Sequence, residues 1–189
     1  MNIKGKRIIL RAIEKKDLPL LHVWFNDPDL VFGLGDIHFP SSLLQQEKWL
    51  ERMQKNEATI RLMAQEIGGP TIGYTGFWNI HWRDRRAEHA VVIDPAYRGK
   101  KYGQEVILTC ARYAFEEMDL SRLDATILAA NPASLKVYQA CGFKVEGTLR
   151  SHALRNGKRV DRIMLGLLDS EYFALVKKNN YWDTAEGGK

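Results

Sequence analysis

The stretch YRGKKYGQEV, Tyr97 to Val106, places Arg98, Lys100 and Lys101 with Gly99 and Gly103 just ahead of an amphipathic run. Unpaired backbone N–H groups at a helix start, backed by cationic side chains, form a binding site for an anion such as a phosphate. The stretch is not a Walker loop, because no Gly-Lys-Ser/Thr ending follows. It also lacks the Gly-x-Gly-x-x-Gly dinucleotide signature. A solvated basic turn is the competing reading of these ten residues alone.

Such a turn acts only if the flanking elements aim it. Residues 85–94 (RRAEHAVVID) read as a strand stopped by Pro95. From 103 to 117 apolar residues fall at Val106, Ile107, Cys110, Tyr113 and Ala114, the spacing of one helical face. Residues 122–128 (RLDATIL) read as the next strand, so the three form a right-handed βαβ unit with parallel strands. The basic turn then leaves the carboxyl end of a strand, where open α/β sheets bind ligands.

Around this unit the pattern predicts a strand over 7–13 and a short helix ending before Asn26-Asp27-Pro28. An irregular loop follows over 31–42, overlapping a serine-capped helix over 41–55. A hairpin of 59–65 and 71–78 joins through Gly68-Gly69-Pro70. After residue 128, a helix begins at Asn131-Pro132 and stops at Gly142. Strands 143–150 and 160–168 around the turn RNGK and a helix over 170–178 complete the chain. This is an α+β domain over 1–178: a mixed, mostly antiparallel sheet of about seven strands with helices on both faces. Residues 179–189, and Trp182 onward in particular, are expected to form a flexible tail.

The 189 residues, 45% hydrophobic and 27% charged, suffice for one domain with a proper core. Neither a signal peptide nor a transmembrane helix is expected, since no apolar run is long enough. Cys110 and Cys141 lack metal-ligand spacing and read as small apolar residues of a reduced, cytoplasmic protein; no metal is expected. The formal charge of +5 favours an anionic ligand. Because the Lys and Arg residues are scattered without aromatic interleaving, neither a nucleic-acid nor a membrane partner is expected.

VVIDPAYRGKKYGQE followed by NPASLKVYQACGFKVEG resembles the GNAT superfamily of acetyl-CoA-dependent N-acetyltransferases. Arg98, Lys101 and Gly103 stand at the three fixed places of that family's pyrophosphate arm. Asn131, Ser134, Tyr138, Gly142 and Phe143 match its second motif. LRAIEKKDLPLLHVWFNDPD and NIHWRDRRAEHAV are similar to the branch holding ribosomal-protein amino-terminal and spermidine acetyltransferases. One position departs: the family usually has glycine where Lys101 stands. A side chain there is expected either at negative φ, pointing away from the pyrophosphate, or with its ammonium on a phosphate.

The resemblance implies an acetyltransferase acting on a primary amine of a polyamine, a protein amino terminus or a small molecule. A non-catalytic acyl-CoA-binding module is the alternative that Lys101 motivates. Acetyl-CoA is expected along Arg98, Gly99, Lys100, Lys101, Tyr102, Gly103 and Gln104. Backbone N–H groups near Val92 and Ile93, beside a local bulge, would hold the acetyl carbonyl. Asn131 would hold the cofactor arm, and Ser134 either caps its helix or touches the cofactor.

Transfer to an amine needs an acceptor for the amine proton and a donor for the departing thiolate. A phenol with a pKa near 10 can protonate a thiolate, and Tyr138 is the candidate, with packing as its alternative. Glu88 is the candidate base. Alternation makes it or its neighbour His89 face the acceptor, and an ion pair of Glu88 with Arg85 or Arg86 is the competing reading. Phe32, Trp49, Trp78, Asn79, His81 and Trp82 are expected to line the acceptor pocket, and Asp27, Asp29 and Asp36 to form an acidic patch. The reaction is expected to be direct attack in a ternary complex, and pairing with a second copy of the chain is left open.

Overall fold

A computed structural model of the chain describes residues 1–34, 39–53 and 55–183. Eight strands form one sheet in the order β1-β2-β3-β4-β5-β6-β8-β7. They are β1 (Ile3–Lys4), β2 (Ile8–Ala12), β3 (Ile60–Glu66), β4 (Thr71–His81), β5 (Arg86–Ile93), β6 (Arg122–Leu128), β7 (Lys144–Arg155) and β8 (Lys158–Leu168). Only β5 and β6 are parallel; every other pair is antiparallel. The strand beyond the expected seven is β1, two residues paired with Leu10 and Ile9.

The helices are α1 (Leu18–Asn26), α2 (Pro28–Leu34), α3 (Leu43–Met53), α4 (Tyr102–Glu116), α5 (Pro132–Ala140) and α6 (Asp169–Lys178). Two cores separate the sheet's faces. One gathers Phe77, Val106, Ile107, Leu123, Tyr138 and Tyr172 against α4, α5 and α6. The other gathers Leu21, Trp24, Met63 and Tyr74 beneath α1 and α3. Ser42 caps α3 reciprocally: its hydroxyl accepts from Gln45 N–H at 3.2 Å, and the Gln45 side chain accepts from Ser42 N–H at 2.8 Å.

Three local readings change. The loop expected from residue 31 begins inside α2, because Asp27 Oδ1 accepts from Asp29 N–H at 2.8 Å and starts a helix at Pro28. Strands β7 and β8 run up to the two residues Asn156-Gly157, whose φ values of 48° and 74° suit the tight turn that matches strand twist. Trp182 is not frayed. Its indole donates to the Tyr172 hydroxyl at 2.7 Å, and the Arg112 guanidinium stacks 3.9 Å from its ring.

Candidate active site

Strands β5 and β6 pair over three residues only, Arg86↔Arg122, Ala87↔Leu123 and Glu88↔Asp124, and then part. The parting leaves the far half of β5 with one edge free. Asp94 N–H bonds Ile72 O in β4, so even-numbered backbone groups there face β4. The carbonyls of His89 and Ile93 are reached instead by the Tyr138 hydroxyl and by Arg98 Nε, so odd-numbered groups face the cleft. The N–H groups offered to a ligand are therefore those of Val91 and Ile93. The Val92 N–H, expected in that role, turns toward β4, and no bulge interrupts the register from Gly73↔Ile93 to Trp78↔Glu88.

Beyond Ile93 the basic turn is pinned from three sides. Asp94 accepts from Ala96 N–H at 2.8 Å and from the Trp24 indole at 2.9 Å. Arg7 bonds the buried Glu105 carboxylate and reaches the Lys100 carbonyl at 3.3 Å with both terminal nitrogens. The α4 amino end has no side-chain cap, so its first N–H groups stay available to an anion. Gly103 is not required by protein packing, since a Cβ there would come no closer than 3.6 Å to Ile93. A glycine at that place leaves room for a ligand against the backbone.

Lys101 adopts φ 64°, ψ 13°. The negative φ expected for a side chain here is absent, and the residue takes the left-handed conformation that glycine would take more easily. Lys101 borders the cavity, whereas Lys100 does not; its ammonium lies 5.3 Å from the Tyr97 ring centroid.

That cavity, of about 640 Å³, is walled by β5 residues 91–93, the turn and α4 start (Tyr97, Arg98, Gly99, Lys101, Tyr102, Gly103, Gln104), α5 and α2. Phe32, expected at the acceptor, lies here, as does Asp29, while Asp27 is a helix cap. Asp36 falls outside the described residues. The Asn131 side-chain oxygen Oδ1 caps α5 by accepting from Ser134 N–H at 3.1 Å, so Ser134 is capped rather than capping. Lys136 on α5 is a further cation of this wall that the sequence reading missed.

Across β5 lies a second cavity of about 510 Å³, bordered by Phe25, Trp49, Arg61, Tyr74, Trp78 and Glu88 among others. Trp49 and Trp78 are placed as expected. Asn79, His81 and Trp82 are not on its wall. Asn79 donates to Glu88 Oε1 at 3.0 Å and so orients it, His81 pairs with Asp84 at 3.0 Å, and Trp82 is exposed. Arg85 pairs with Asp119, and Arg86 lies near Asp84 and Asp124, so Glu88 is not their partner.

Between the cavities lies a buried chain of polar groups. Thr75 donates to the Ala90 carbonyl at 2.8 Å, which leaves its oxygen to accept from His89 Nε2–H at 3.1 Å. Nδ1 is then the nearer acceptor for the one Tyr138 hydroxyl hydrogen, at 3.0 Å, with the His89 carbonyl 3.3 Å from the same oxygen. Burial holds His89 neutral, pushing its pKa down to about 3, and raises Tyr138 well above 10. Of the two neighbours on β5, it is Glu88 whose side chain shares the face of the second cavity with Trp78 and Arg61. His89 turns its imidazole to the opposite face. Cys110 and Cys141 are buried free thiols raised to about 12, unsuited to carry an acyl group.

Residues 7–144 match the acetyltransferase (GNAT) domain family. The chain is 25% identical over 168 residues to the spermidine N(1)-acetyltransferase of Vibrio cholerae, covering 89% of this chain and 96% of that protein. To the L-amino acid N-acetyltransferase of Escherichia coli it is 24% identical over 157 residues, 82% and 93% of the two lengths. The fold superposes with a TM-score of 0.85 on the crystal structure of the Vibrio cholerae spermidine N-acetyltransferase in complex with CoA and spermine, at 24% identity, covering 89% and 99% of the chains. No helix among the described residues is long and apolar enough to cross a membrane. The parted parallel strands, the uncapped basic helix start and the family match together identify this chain as a member of the GNAT family of N-acetyltransferases.

Proposed function

We propose that acetyl-CoA fills the 640 Å³ cavity and that an amine from the 510 Å³ cavity attacks its acetyl group directly. The observation that carries this reading is the parting of β5 from β6 after Glu88, which opens one strand edge between the two cavities. The pyrophosphate rests on the α4 start, with Arg98 and Lys101 beside it. The N–H groups of Val91 and Ile93 pair with the acyl carbonyl and the adjoining arm, stabilising the oxygen as it gains charge.

An alkylammonium with a pKa near 10.4 is mostly protonated at neutral pH, so it must lose a proton before attack. Glu88, oriented by Asn79, takes that proton directly or through one water. The amine nitrogen bonds to the acetyl carbon, and the carbon–sulfur bond breaks as the tetrahedral intermediate collapses. Tyr138 turns its hydroxyl hydrogen from His89 Nδ1 to the departing thiolate. No acyl-cysteine is needed. Two free thiols and an acetyl-CoA cosubstrate fit a reducing cytoplasmic setting.

Calorimetry with acetyl-CoA on Arg98→Glu and Gly103→Asp tests the donor site. Each variant is expected to lose at least tenfold in affinity, about 1.4 kcal/mol. Unchanged affinity in both, with circular dichroism intact, removes the cofactor from this turn.

A further inference from the structure

Among the described residues, the acceptor cavity is bordered by three arginines, Arg52, Arg61 and Arg162, and by one carboxylate, Glu88. Arg61 is the one set among aromatic rings. Its guanidinium carbon lies 4.5 Å from the Trp78 ring centroid, 5.5 Å from Trp49 and 5.8 Å from Tyr74. Nη1 donates to the Tyr74 hydroxyl, while Nε is sealed from solvent with no acceptor. Among the described residues, no ion pair includes Arg61. Among the described residues, its five guanidinium N–H donors therefore meet one protein acceptor. Aromatic faces attract the cation but supply no oxygen to its hydrogens, so the half-buried guanidinium in this box keeps donors open to an anion.

The surface between Arg61 and the cleft is low. Arg61, Gly76 and Ala90 stand in one row across β3, β4 and β5. Nothing taller than a methyl group rises from the last two, and Arg61 and Ala90 are about 10 Å apart at two strand spacings. Gly76 is obligatory, because a Cβ there would stand 2.1 Å from the Ile60 carbonyl oxygen. A small ligand can lie along this strip with one end on the guanidinium and the other at the β5 edge beside Glu88.

We infer that the acceptor is a primary amine that also bears a carboxylate, with the carboxylate bound by Arg61 and the amine delivered over Ala90. The inference rests on the acetyltransferase reading above and narrows its substrate. Planar guanidinium matches planar carboxylate, and Phe25, Trp49 and Trp78 leave apolar surface for the ligand's body. A polyamine would instead bring further positive charge against Arg61 and Arg52.

L-phenylalanine and phenethylamine present the same body with and without the carboxylate; spermidine supplies the polycation. With the full chain and acetyl-CoA, CoA thiol release is expected to give L-phenylalanine a kcat/KM at least tenfold above phenethylamine, with spermidine lowest. The ratio of acid to plain amine should fall toward one in Arg61→Met and stay intermediate in Arg61→Lys. Equilibrium binding of N-acetyl-L-phenylalanine and N-acetylphenethylamine to the CoA-loaded chain reads the same preference without turnover. Equal values for the two members, no binding of the acid at millimolar concentration, or a ratio that survives Arg61→Met overturns the inference. Failure of acetyl-CoA itself to bind would overturn the acetyltransferase reading instead.

Discussion

The two cavities on either side of β5 are made differently. The donor side is built largely from residues 91–104 and 130–140, roofed by α2, and what it offers is backbone: a free strand edge and an uncapped helix start. The acceptor side draws residues from Phe25 to Arg162 over five strands and two helices, and what it offers is side chains. A donor shared by a whole family can be held by backbone geometry that tolerates most side-chain changes. An acceptor must be told from other amines, and that requires particular rings and charges at particular heights above the sheet.

The seam between the halves should be the most sensitive place. Tyr138→Phe removes one hydroxyl with little loss of packing, so turnover should fall by roughly 10²-fold while acetyl-CoA affinity holds. Steady-state kinetics with calorimetry on the same samples checks this, and full turnover in the variant reduces Tyr138 to packing. His89, on the same seam, should appear in stability. Its folded pKa of about 3 lies below its unfolded value of 6.5, so stability is complete above pH 6.5 and is lost as pH falls toward 3. Thr75, Tyr138 and Phe77 face it, and none of them is charged in that range. Between pH 7 and pH 5 the parent should lose about 2 kcal/mol more than His89→Gln in urea unfolding. Equal losses would mean that the imidazole protonates while folded.

On the acceptor side, Glu88→Gln is expected to lower kcat/KM about tenfold, or ~1.4 kcal/mol, near neutral pH. Raising the pH should recover most of that loss, because more of the amine is then already neutral. A small, pH-independent defect would assign deprotonation to solvent. On the donor side, Lys101→Gly relieves a left-handed residue at φ 64° and should raise stability by about 1 kcal/mol in denaturant unfolding. If the ammonium also touches a phosphate, acetyl-CoA affinity drops in the same variant. Lower stability in Lys101→Gly would show that the side chain supports the turn.

This division also governs what could be read before the fold was known. The donor half was legible because its parts are contiguous: strand, basic turn, helix, and the Asn131-to-Phe143 motif. Even there the sequence could not tell which N–H groups face the cleft, because that depends on the pairing of β5 with β4. Of the residues expected at the acceptor, Glu88, Trp49 and Trp78 border the second cavity, but Phe32, Asn79, His81 and Trp82 were grouped with them by nearness in sequence rather than in space. Arg61 carried a usable signal, a charge on a β-rich run at the alternation of Met63. Its neighbours Trp49, Tyr74 and Trp78 come from two other elements, α3 and β4, and no local pattern joins them to it. Trp182 misled for a similar reason, since a terminal aromatic after Asn179-Asn180 gives no sign of Tyr172 and Arg112 waiting for it.

The central claim is that the two cavities act together, with acetyl passing directly from one occupant to the other across the opened edge of β5. Initial rates with acetyl-CoA varied against fixed concentrations of an accepted amine test it most directly. Double-reciprocal lines that intersect, because both substrates must be bound before CoA leaves, are the predicted result. Parallel lines, with radioactive acetyl retained on the protein in the absence of acceptor, would contradict it.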